Sequence, residues 1–147
     1  MKLYLDLCVY NRPFDYQGHN RVSLETSIFT YILEKIETGT YILVASDALT
    51  YENNKNPDSL RSARIATYFE LAKELIKINN YDYERVKILK EFGFSDIDAL
   101  HISLAERSQA DYFITCDDDI VNRYKKHKNH IKIDIVSLTE FIGLEAK

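Results

Sequence analysis

Four acidic residues, Asp6, Glu52, Asp98 and Asp117, stand where a sheet and its helices should deliver them to a single edge. Asp6 ends the apolar run Leu3-Tyr4-Leu5, and Asp117 follows Tyr112-Phe113-Ile114-Thr115-Cys116. Each reads as the last residue of a buried strand, the position at which open α/β sheets carry their chemistry. Glu52 and Asp98 fall near the starts of helical stretches. Two like charges ~4 Å apart repel by about 4 kcal/mol even at an effective dielectric near 20. A divalent cation is the simplest remedy, and an oxygen-only ligand set favours magnesium or manganese.

The four positions differ in how strongly their surroundings single them out. Asp98 shares a helical face with Ile102 and Ala105, beside Ala99, so its carboxylate points toward the buried side. That placement is costly without a partner. Asp96 is the ordinary acid of a first turn, favourable there by about 0.3–1 kcal/mol through the helix dipole. Asp117 opens the run Asp117-Asp118-Asp119. Such runs are usually solvated helix N-termini, but Asp117 alone directly follows the strand. Glu52 shares a face with Ala48 and Leu49, and taken singly it reads equally well as a solvated flank.

The elements that must position these acids alternate along the chain. Short apolar runs at Leu3–Leu5, Tyr41–Ala45, Tyr112–Thr115 and Ile131–Val136 read as strands buried on both faces. Between them, apolar residues recur at helical spacing from Val22 to Glu37, with Gly39 as the stop. Ser46 and Asp47 are candidate caps for the helix carrying Glu52. Asp58 or Ser59 is the cap for a helix expected to run to about Ile78. Val86 and Leu89 mark a short helix before Gly93. Ser95 caps a helix over about Asp96 to Arg107, and Ser137 a final one through Phe141. This order predicts an α/β fold in one domain spanning 1–147. Its central parallel sheet has about four strands, with helices on both faces.

Composition narrows the class. The 147 residues are 46% hydrophobic and 29% charged, an ordinary balance for a chain with one packed core. A net charge of -4 supplies no global field for holding nucleic acid, so any such substrate must be held by local cations and metal. Two cysteines, Cys8 and Cys116, are too few for a disulfide framework and read as small buried hydrophobes near the strand ends. Asp6 comes too early for the apolar stretch of an export signal, and no run reaches membrane-spanning length, so a cytoplasmic location is expected. Histidines at zinc-ligand spacing and a glycine-rich phosphate loop are both missing from the sequence. His101 reads as a packing residue on its helix.

Leu3-Tyr4-Leu5-Asp6, the stretch Ser46 to Glu52, Asp98-Ala99-Leu100-His101-Ile102 and Tyr112-Phe113-Ile114-Thr115-Cys116-Asp117 resemble the successive motifs of PIN-domain ribonucleases. The similarity is greatest to the VapC-type toxins of toxin–antitoxin pairs and runs over essentially the whole chain. It departs from the family at Leu7, where a hydroxyl residue often follows the first aspartate. The resemblance implies an endoribonuclease in which Asp6, Glu52, Asp98 and Asp117 bind Mg2+ or Mn2+ and activate water, with Thr115 in support. It further implies an RNA substrate, a small antitoxin partner, a homodimeric state and no membrane. The chemistry agrees, because phosphodiester hydrolysis needs an ionised water and a neutralised oxyanion.

Arg12, Arg61 and Arg64 are candidates for RNA contact. Lys125, Lys126 and Lys128 read as solvated charge, and Tyr10 and Tyr16 as aromatic residues able to stack on bases. Three rival readings follow from the same features: a housekeeping PIN-domain ribonuclease, a catalytically silent PIN binding module, and a phospho-acceptor receiver domain. The receiver needs paired acids after the first strand, where this chain has one.

Overall fold

The computed structural model describes residues 1–146 of the chain. Five strands form one sheet: β1 (Lys2–Leu5), β2 (Ile42–Ser46), β3 (Glu74–Ile76), β4 (Tyr112–Thr115) and β5 (Asp134–Ser137). Their order is β3-β2-β1-β4-β5, and every ladder is parallel. A parallel sheet needs both faces covered, because its strands carry apolar side chains to either side. Leu3, Tyr4, Leu5, Leu43, Val44, Phe113 and Ile114 are accordingly all fully buried.

The cover comes from eight helices: α1 (Leu7–Asn11), α2 (Asn20–Glu37), α3 (Asp47–Asn53), α4 (Ser59–Phe69), α5 (Asn80–Lys90), α6 (Asp96–Ser108), α7 (Asp118–His127) and α8 (Leu138–Glu145). Among them α2 packs on α1 and α8, while α6 packs on α5 and α3. The caps fall where hydroxyl and carboxylate residues precede apolar runs. Ser46, Asp58, Ser95 and Ser137 accept the backbone N–H groups of Leu49, Arg61, Asp98 and Glu140. Each such cap stabilises its helix by about 1 kcal/mol. Gly39, after α2, has φ +82°, a conformation that any side chain would strain.

Three expectations are corrected. The helix expected to reach Ile78 ends at Phe69, and Glu74–Ile76 instead forms a fifth strand on the outer edge of β2. The apolar spacing Ile65, Phe69, Ala72, Ile76 carries on across that break by coincidence. Pairing is the reason for the strand: without it, β2 would leave a row of backbone groups open. The last strand starts at Asp134, not Ile131, because its partner β4 begins at Tyr112 and offers nothing upstream to pair with. Ile131 and Ile133 are buried all the same. Tyr10 is a core residue with no exposed surface, packed edge-on against Phe29 and Phe69, so it cannot stack on a base.

The sheet order also departs from the 2-1-3-4-5 arrangement of receiver-type doubly wound folds. From β1 the chain winds outward through β2 and β3, then returns to β4 on the other side. That reversal leaves a crevice beyond the C-terminal ends of β1 and β4, the expected place for a ligand. No helix among the described residues is long and apolar enough to cross a membrane.

Candidate active site

Asp6 and Asp117 stand side by side at the crevice because β1 and β4 are neighbours in register, Leu5 opposite Ile114. Asp6 caps α1 through Leu7 N–H at 2.8 Å, and its own amide donates to Ile114 O, which prolongs the ladder by one bond. Asp117 caps α7 through Asp119 N–H at 2.9 Å. Between them lies Thr115, fully buried. Its hydroxyl donates to Asp6 Oδ2 at 2.7 Å and accepts from Asp117 N–H at 3.0 Å. One side chain therefore sets the position of both aspartates.

Asp98 enters from the first turn of α6, half-buried beside them. Burial pushes its pKa up to about 6, and the charges of Asp6 and Asp117 push in the same direction. Burial likewise raises Asp6, with His101 and the Thr115 hydrogen bond opposing it and the Glu52 charge adding to it. Glu52 lies on the last turn of α3, not the first as expected, since that helix has only seven residues. It still arrives at the site. Ligand atoms of Asp6, Glu52 and His101 all lie within 4.8 Å of one another.

His101 was not expected in the site. It is fully buried, with Nε2 at 2.9 Å from Glu52 Oε1 and Nδ1 at 2.7 Å from the hydroxyl of Tyr4. Tyr4 in turn meets Ser46 Oγ at 2.6 Å. The pointer available in the sequence was position: His101 lies one helical turn after Asp98, on the same face. Arg21 was also missed. It pairs with Asp118 through both terminal nitrogens at 2.8 and 2.9 Å and donates to Cys116 O at 2.8 Å, tying α2 to the loop that presents Asp117.

The arginines proposed for RNA contact are differently engaged. Arg12 pairs with Asp15 and with the buried Glu25. Arg61 pairs with Asp15 and donates to Asn11. Both hold the loop after α1 in place. Arg64 is exposed and forms no ion pair among the described residues. Lys125 pairs with Glu140, and the lysines lie at the far end of α7, about 15 Å along the helix from Asp117. Cys8 and Cys116 are neighbours, the Cys8 sulfur accepting Cys116 N–H at 3.1 Å, and both are free thiols. Beside Glu52 opens a cleft of about 460 Å³, lined by Tyr51, Lys55, Asp96, Ile97 and Leu100.

No Lys or Arg pairs with Asp6, Glu52, Asp98 or Asp117 among the described residues. The donor set is rich in carboxylate oxygen and has no Lys or Arg partner among the described residues, and a hard divalent ion fits it.

The sequence matches no family model and no curated protein. Among solved structures it is similar to a chain in the crystal structure of VapBC2 from Rickettsia felis bound to a DNA fragment from their promoter. The likeness covers 93% of this chain and 98% of that one, with a TM-score of 0.61 at 15% identity. The fold is PIN-like. At that level of identity the match shows the architecture, and the site must be read from this chain's own residues. In this PIN-like fold Asp6 and Asp117 stand at the crevice where the strand order switches, and Asp6 meets Glu52 and His101 there.

Proposed function

We propose that this chain is a Mg2+- or Mn2+-dependent endoribonuclease and the toxin of a type II toxin–antitoxin pair. The observation that carries the reading is the meeting of Asp6 and Glu52 at the crevice, with Asp117 tied to Asp6 through Thr115 and Asp98 feeling the charges of both aspartates, and no Lys or Arg paired with any of the four among the described residues. A bound divalent ion supplies a hydroxide-like water and stabilises the oxyanion of a phosphodiester under attack. Asp6, Asp98 and Asp117 would hold the ion. Glu52 is a further ligand or the base that takes a proton from the attacking water, and its carboxylate, about one-third exposed, is open to solvent for either role. Thr115 keeps Asp6 and Asp117 from splaying apart.

The exposed Arg64 and the cleft beside Glu52 suit the flanking phosphates and bases of RNA. The structural neighbour comes from a complex that binds promoter DNA, which supports a small antitoxin as this chain's partner. Such a partner can restrain the site by placing an arginine among the carboxylates, where a bidentate pair displaces the ion. The chain is further proposed to work as a homodimer in the cytoplasm.

The test is cleavage of RNA by purified protein with and without Mn2+. Even residues that only orient metal ligands cost 10–100-fold when lost, so Asp6→Asn and Asp98→Asn should each lower cleavage by more than about 100-fold. Cleavage by EDTA-treated protein at the Mn2+ rate would sink the mechanism. Harmless overexpression of active protein in a host lacking any neighbouring antitoxin gene would favour a housekeeping ribonuclease.

A further inference from the structure

We propose that His101 is a positioning residue for Glu52 and not a ligand of the metal, its proton held on Nε2 by a hydrogen-bond chain that starts at the cap of α3. The inference rests on the metal-dependent reading above for its consequence, but its geometry stands without it.

The direction of the chain follows from counting donors. Ser46 is fully buried, and its hydroxyl has two partners: the N–H of Leu49 at 3.1 Å and the hydroxyl of Tyr4 at 2.6 Å. An amide N–H only donates, so Ser46 accepts there and must give its own proton to Tyr4. Tyr4, having accepted, gives its proton to its other partner, His101 Nδ1, at 2.7 Å. Nδ1 is thus the acceptor nitrogen of the ring. Nε2 carries the proton and donates it to Glu52 Oε1 at 2.9 Å. Reversing the Ser46–Tyr4 bond leaves the buried Ser46 proton with no acceptor, and reversing the Tyr4–His101 bond leaves the Tyr4 proton with none, each at a cost of about 1–3 kcal/mol.

Two consequences follow. First, neither ring nitrogen keeps a lone pair for a metal, although His101 lies within 4.8 Å of the Asp6 and Glu52 ligand atoms. The site stays oxygen-only, the donor set that magnesium and manganese prefer. Second, Glu52 sits at the end of a short helix with its side chain about one-third exposed. A carboxylate so placed has many rotamers, and the imidazole N–H selects one, leaving the other oxygen for metal or water. The ring itself is held edge-on to Tyr4, which stacks on Phe113 at 5.6 Å between centroids. The sheet thereby fixes a side chain that belongs to α3.

Long-range proton–nitrogen correlation spectra of the metal-free, 15N-labelled protein test the assignment directly. His101 should show a protonated Nε2 and a bare Nδ1, and Tyr4→Phe should shift the Nδ1 resonance. A proton on Nδ1, or a bare Nε2, would overturn the proposal. Pulsed electron paramagnetic resonance of the Mn2+ form should show no directly bound nitrogen, and a strong nitrogen coupling that disappears in His101→Gln would overturn it.

Variants give a third reading. His101→Ala should weaken Mn2+ binding or lower kcat about 10–100-fold. His101→Gln, whose amide can replace the Nε2–H donor, should restore most of that, and His101→Asn should not. Equal losses in all three would overturn the positioning role. If wild-type protein neither binds Mn2+ nor cuts RNA, the proposed function falls, and the nitrogen spectra still decide the chain of hydrogen bonds.

Discussion

The two ends of α6 handle buried carboxylates in opposite ways. Toward its C-terminus, Glu106 accepts two hydrogen bonds from Arg85, at 2.9 and 2.8 Å. Asp82 of α5, with no exposed surface, is held by Arg107 at 2.9 and 2.8 Å and by Ser103 at 2.7 Å. Burial is the largest influence on Asp82 and would raise its pKa, but Arg107, the Asn79 amide and Ser103 together lower it. At the N-terminal end, Asp98 meets Asp6 and Asp117 instead of an arginine, and its pKa is pushed up to about 6. Carboxylates that serve the fold are supplied with a cation by the chain itself. Those at the crevice are not, and a metal ion is what would complete them.

Stability measurements should separate the two ends most sharply. Asp82→Asn strands Arg107 and breaks a buried pair, so urea unfolding should show a loss of about 3 kcal/mol or more. Asp98→Asn removes a repulsion, and the metal-free protein should keep or gain stability. A comparable loss at both sites would erase the contrast.

Metal should act at one end only. At 100 times its dissociation constant, Mn2+ adds about 2.7 kcal/mol, or roughly 5–10 °C in Tm for a chain of this size. Scanning calorimetry should find that increment intact in a folded Asp82→Asn protein and absent in Asp6→Asn. An unchanged increment in Asp6→Asn would remove Asp6 from the ligand set.

The two acids should also impose opposite slopes against pH. Asp98 has a folded pKa raised from 3.8 to about 6, so the folded state holds a proton that the unfolded chain releases. Its contribution is fully present below the unfolded value and is lost as pH rises through about 6. Asp82 has a lowered folded pKa, so its contribution is present above the unfolded value of 3.8 and disappears as pH falls below it. In EDTA, Asp98→Asn should therefore gain on wild type in Tm as pH rises from the unfolded value of 3.8 through about 6. A constant gap over that range would contradict the raised pKa. The smallest effect is expected at Arg64, where substitution by alanine should weaken RNA binding only a few-fold. It should lower the salt dependence of binding by about one phosphate contact. An unchanged salt slope would remove Arg64 from the RNA track.

Local chemistry was enough to read Asp6 and Asp117 as strand-end acids, since an apolar run that stops at a carboxylate marks where a buried parallel strand reaches the sheet's edge. The same holds for the caps Ser46, Ser95 and Ser137 and for the burial of Asp98's helical face, all of which depend on neighbours within a turn or two of helix. What the sequence could not show was partnership across the chain. β3 escaped notice because Glu74-Leu75-Ile76 continues a helical spacing, and only the open edge of β2 makes it a strand. Tyr10 and Tyr16 look alike as letters, yet one is fully buried and the other 76% exposed. Arg12 and Arg61 looked available for RNA until Asp15 and Glu25 were found beside them. His101 became part of the site only when the sheet brought Tyr4 and Ser46, from β1 and β2, against it. Periodicity and capping act over one or two helical turns and are written in order along the chain. Charge compensation is set by groups 21 and 25 residues apart and proton direction by groups 42 and 97 residues apart, and only packing decides which of them meet.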